Sequence, residues 1–165
     1  MGGREGHDRV PASVVVSDAS ALIALEQIGQ LALRERLFAT LLIPPAVARE
    51  TAAGGTWPTW IHERTLAQPL SSQVLRASLG PGEREAISLA LEAHADLLIL
   101  DDRPAQRLAQ ALGIPIIGTL GVLFAAKRKS IITAVRPHID ALLAADFRAA
   151  PDLVARILAD AGETE

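Results

Sequence analysis

The feature that most constrains the fold is a set of short apolar runs that stop abruptly. They are VVVS at 14–17, LLI at 41–43, LLIL at 97–100 and IPII at 114–117, each bounded by Asp, Pro or Gly. Runs of this length, apolar without alternation and partly β-branched, suit strands buried on both faces. Helical patterns separate them at 20–28, 30–38, 45–53, 82–94 and 104–112. The alternation predicts an α/β chain in three α/β/α layers, with a central parallel sheet of about four to five strands. Beyond about residue 119, LGVLFAAKRK, HIDALLAAD and PDLVARILADAG add three helices that would pack on a sheet edge or on a second subunit. With 165 residues, half of them hydrophobic, one core is expected over 14–165. The polar, glycine-rich residues 1–13 read as a flexible leader.

Composition then narrows the chemistry. There is no cysteine, and the histidines at 7, 62, 94 and 138 show no ligand-like pairing, so any metal must be held by oxygen. A net charge of −3 with one short basic run, KRK at 127–129, lacks the broad basic footprint of a tight duplex binder. No stretch reaches the roughly 18–20 apolar residues of a membrane helix. A soluble, cytoplasmic protein without membrane association is expected.

In an open parallel sheet, functional groups gather beyond the carboxyl ends of the strands. Asp18 follows the first apolar run and Asp101 and Asp102 follow LLIL, so these acids meet at one rim despite their separation in sequence. Two glutamates join them by helical phase. Taking about 100° per residue and Ala86 as origin, Glu83 falls at about 60°, within the apolar face, and Glu85 at about 260°, toward water. Glu50 lies about 40° from Ala46 by the same measure and also points inward. A carboxylate facing a core must be protonated, paired or bound to a cation. Each acid alone has an ordinary alternative. Asp18, Asp101 and Asp102 stand where helix N-caps stand, Glu83 lies in a first turn, and Glu50 has basic residues near it in sequence. Convergence of all of them favours the cation.

VVVSDASALIAL, IPPAVARE and GPGEREAISLALEAHADLLILDDRPAQRLAQALGIPIIGTLGVL together resemble a PIN domain, the nuclease fold of VapC toxins. The likeness is greatest to a PIN-like group with a GE helix and a GTLGVL segment. It spans about residues 14–145 and implies metal-dependent hydrolysis of RNA. It implies Asp18, Glu50, Glu83 and Asp102 as the catalytic acids, with Asp101 a close neighbour. Asp18, Glu83, Asp101 and Asp102 would hold Mg²⁺ or Mn²⁺, hard cations that take carboxylate oxygens. Ser20 matches the small polar residue two positions after the first acid, and Arg103 is free to meet substrate phosphate. The implied partners are an RNA substrate and a small antitoxin protein, in a type II toxin–antitoxin pair, and a homodimer is expected. Departures from the family pattern are Leu100, where many relatives carry Thr or Ser, and Glu83 in place of Asp.

Other readings stand beside this one. A PIN-like RNA- or protein-binding module would keep the fold with weak or no nuclease activity. A phosphoryl-receiving or phosphatase-type domain would need an acid pair or nucleophile at the first strand, where the chain has only SDAS. Lys127, Arg128 and Lys129 fit a solvated helix end better than an RNA contact. Trp57 and Trp60 fit packing or an interface better than base stacking.

Overall fold

The computed structural model describes residues 14–51 and 57–164. The leader expected at 1–13 and the end of the helix expected at 52–53 lie outside the described residues. Five strands form one parallel sheet: β1 (Val15–Ser17), β2 (Leu41–Ile43), β3 (Ile61–Glu63), β4 (Leu97–Ile99) and β5 (Ile116–Ile117), in the order β3-β2-β1-β4-β5. Register pairs Val15 with Leu97, Val16 with both Leu98 and Leu42, and Ser17 with Ile99. β1 is central and its three residues are all buried, as an unalternated apolar run requires.

Nine helices flank the sheet among the described residues. They are α1 (Ala19–Gln27), α2 (Ala32–Phe38), α3 (Pro45–Thr51), α4 (Ser72–Arg76), α5 (Pro81–Glu92), α6 (Arg103–Ala111), α7 (Thr119–Arg128), α8 (Arg136–Ala144) and α9 (Pro151–Asp160). The buried core runs through β1, β2, β4, α1, α5 and α7. Trp57 and Trp60 are half-buried against it, in keeping with packing.

Two elements escape the sequence pattern. β3 is an edge strand with only Ile61 buried, so it has no apolar run to betray it. α4 is five residues capped by Ser71, whose hydroxyl accepts from the Val74 N–H.

The three C-terminal helices pack within the chain: α7 against α1, α2 and α9, and α8 against α1. Glu163 fastens this layer. Its carboxylate accepts from Lys127 Nζ at 2.8 Å, Val135 N at 2.8 Å and Arg136 N at 3.0 Å. Lys127 also donates to the Ala161 carbonyl. The first residue of KRK is therefore not the solvated side chain expected, because the returning C-terminus folds over it. Arg128 lies over the Phe124 ring at 5.8 Å.

Candidate functional site

From β1 the chain crosses to β2 and β3 on one side of the sheet, while β4 and β5 lie on the other. The switch point is thus the carboxyl end of the β1–β4 pair, where a crevice opens in such sheets. Asp18 leaves β1 there, its N–H donating to the Ile99 carbonyl at 3.1 Å, and Asp101 and Asp102 follow β4.

Asp18 is only 1% exposed. One oxygen, Oδ1, accepts from Ala21 N at 3.0 Å and caps α1. The other, Oδ2, is buried with no hydrogen-bond partner. Burial pushes its carboxyl up to about 7; the Ala21 bond opposes this, Asp101 and Glu83 raise it further, and Arg34 lowers it.

The remaining acids follow a related rule. Asp102 caps α6 through Oδ2, which accepts from Ala105 N at 3.0 Å. Glu83 reaches back to the Gly80 N–H through Oε1 at 3.2 Å. Glu50 accepts from Gly82 N through Oε1 at 3.0 Å. Each engages a backbone donor with one oxygen. Asp101 differs: Oδ1 accepts from Thr119 N at 2.7 Å and Oδ2 from Thr119 Oγ1 at 2.6 Å. Desolvation holds the Glu83 carboxyl above its usual range; the Gly80 N–H lowers it, and Asp102, within hydrogen-bonding reach, raises it together with Glu50. Asp18 therefore feels Asp101 and Glu83, and Glu83 feels Asp102 and Glu50. The capping roles and the cluster are two uses of the same side chains.

Two glycines make this crowding possible. A Cβ on Gly82 would stand 2.7 Å from Glu50 Oε1, and one on Gly118 would stand 2.9 Å from Asp101 Oδ1. Both distances are shorter than a side chain tolerates, so the carboxylates rest directly on backbone.

Helix phase is corrected at two positions. Glu50 does not enter the core: the residue is exposed, and its side chain runs across to the start of α5, because α3 and α5 pack closely. Glu85 does not point to water. It is half-buried and accepts from Ala46 N at 2.9 Å at the start of α3, with Arg49 at 3.8 Å. A single-helix projection omits this neighbour. Glu83 is half-buried among the acids.

Two further residues shape the site. Arg34 of α2 is fully buried; Nη1 donates to Ser17 Oγ at 2.7 Å, while Nε and Nη2 lack partners. Burial lowers its pKa to about 10, against the opposing pull of Asp18 and Asp101. It is a cation built beneath the acids. Its signal was readable, since Leu33 and Leu37 place position 34 on the apolar face of α2. Thr119, buried at the start of α7, had no signal in spacing. Ser20 and Arg103, both exposed, line one cleft with Asp101 and Asp102.

The donor set suits a hard cation. Only oxygens are offered, and the partnerless, buried Oδ2 of Asp18 is a group that a cation would satisfy. As they stand, no three His, Cys, Asp or Glu side chains among the described residues close around one metal-sized point. Mutual repulsion and the individual backbone bonds both oppose closer approach.

A protein-family profile described as a PIN domain matches residues 14–163. Comparison with the curated proteins and with the solved structures found no match.

Proposed function

The chain belongs to the PIN-domain family, and from that premise we propose that it is a metal-dependent endoribonuclease, the toxin of a type II toxin–antitoxin pair. The observation that carries this reading is the group of five carboxylates at the β1–β4 switch point, with Asp18 Oδ2 buried and partnerless. Asp18, Glu83 and Asp102 would hold Mg²⁺ or Mn²⁺ through the oxygens that carry no backbone bond, with Asp101 beside them. A bound divalent cation supplies an acidified water and stabilises phosphate charge.

The protein's own groups do the rest. Asp18 and Asp102 are held by the first turns of α1 and α6, so their rotamers are set by capping. Glu50, seated on Gly82, stands next to Glu83 to order water or accept a proton. Arg34 balances the buried negative charge from below. Ser20 and Arg103 face the approach to the acids and would meet the phosphodiester. A small antitoxin partner, a homodimer and a cytoplasmic setting belong to the same reading; among the described residues no helix is long and apolar enough to cross a membrane.

One observation favours a second reading, a PIN-like RNA- or protein-binding module with weak or no nuclease activity. Both Asp101 oxygens are occupied by Thr119, and the acids do not close as they stand. Cleavage of a mixed RNA pool with manganese and with chelator, run beside Asp18→Asn, decides between them. Cleavage that needs metal and Asp18 supports the nuclease; RNA retention without cleavage supports the module.

A further inference from the structure

Two cavities open beside the acids, of about 700 Å³ and about 490 Å³. Asp101, Arg103, Phe147 and Arg148 line both, so they are two lobes of one trough that passes the carboxylates. The larger lobe contains Asp102 and Ser20 and belongs to the site already described. The smaller lobe has no role yet. Its walls include the apolar side chains of Leu120, Leu153 and Ile157, and Arg156 joins Arg103 and Arg148 there.

The three arginines are exposed, and none forms an ion pair among the described residues. The lobe's acids are Asp101, already held by Thr119, and Asp152. Phe147 is placed firmly. Asp146 adopts a left-handed conformation, φ 66°, and the Phe147 N–H donates to the Leu142 carbonyl at 3.0 Å, which ends α8 and fixes the direction of the ring's backbone.

We propose that this smaller lobe is a nucleotide subsite for single-stranded RNA, flanking the phosphodiester at the acids. The inference rests on the nuclease reading above and deepens it. Arginine offers paired donors that match a phosphate, and an apolar wall beside them suits a ribose and base. Phe147, shared by both lobes, offers a face on which a base can stack as the strand passes from one to the other. A duplex fits poorly, because the chain has no broad basic face.

The test is fluorescence anisotropy of a labelled single-stranded RNA decamer, and of its duplex, with the full chain in chelator. The same proteins are then titrated calorimetrically with manganese alone. Arg148→Ala combined with Arg156→Ala should weaken single-strand binding by about tenfold and flatten its salt dependence, as expected for lost phosphate contacts. Manganese binding should be unchanged. Arg107→Ala, an exposed arginine of α6 outside the trough, should leave RNA binding within a factor of about two. Phe147→Ala should add a further loss on the single strand. Parent-like RNA binding by the double arginine variant overturns the subsite while leaving the acids untouched, and so does an equal loss on the duplex. Failure of the parent to bind manganese, with arginine-dependent RNA binding retained, sinks the nuclease reading and leaves the subsite standing.

Discussion

Two carboxylates at opposite ends of the chain show what environment does to one functional group. Glu163 sits among donors: burial raises its pKa, but bonds from Lys127, Val135 N–H and Arg136 N–H outweigh this and bring it to about 2. Asp18 sits among acids: one N–H serves one oxygen, the other oxygen has no partner, and its carboxyl rises to about 7. The first arrangement stabilises the native chain by itself. The second is strained until something positive arrives, and Arg34 answers only part of that need. A cluster of acids at a sheet's switch point, with one buried oxygen of Asp18 left without a partner, is poor architecture and good preparation for a cation.

The largest effect that would sharpen this comparison is on catalysis. Asp18→Asn or Glu83→Gln should reduce metal-dependent RNA cleavage by at least about a hundredfold, the scale of losing a preorganised electrostatic group. Glu163→Gln, assayed where the protein is folded, should stay within a few-fold. Equal losses from both ends of the chain would erase the distinction.

Stability should divide the other way. Glu163→Gln should lower unfolding free energy by about 1.5–3 kcal/mol, the range for hydrogen bonds to a charged group, as read by urea denaturation. The pH slopes also have opposite signs. Glu163 contributes fully above its unfolded value of 4.5 and loses that contribution as pH falls toward about 2. Asp18 holds a proton in the native state between 3.8 and about 7, so its contribution is greatest at the acidic end and declines as pH rises through about 7.

A smaller change follows from neutralising Asp18. In chelator above about pH 7, where Asp18 is ionised, Asp18→Asn should raise stability by about 1 kcal/mol by relieving repulsion between acids, and it should flatten the decline between pH 4 and 7. It should also remove the melting-temperature increase that manganese gives the parent, whereas Glu163→Gln should keep it. Identical manganese shifts in all three proteins would count against Asp18 as a ligand.

The mildest perturbation is Gly82→Ala. Alanine favours a helix over glycine by up to about 1 kcal/mol, so the fold should hold or gain. The added Cβ would press on Glu50 Oε1, and cleavage should fall several-fold. Unchanged cleavage would show that Glu50 does not need its seat on Gly82.

The rim could be anticipated because a parallel strand delivers the next residue to a known edge: Asp18, Asp101 and Asp102 needed only the pattern of apolar runs. Glu83 was legible through helical phase. Glu50 and Glu85 were misread because each reaches a different helix, and phase knows only its own. β3 stayed hidden because an edge strand needs just one buried residue, Ile61.

The amino-acid sequence alone determined four of the five strands, most of the helices and the edge at which the acids emerge, since burial periodicity and strand ends are local properties. Tertiary structure alone decided which oxygen of each acid is engaged, that Asp101 is bound on both oxygens by Thr119, that Arg34 lies beneath the cluster, and that Glu163 closes on Lys127. Those outcomes depend on distances of a few ångströms between segments far apart in the chain, and hydrogen bonding and desolvation respond to that separation rather than to spacing along the sequence.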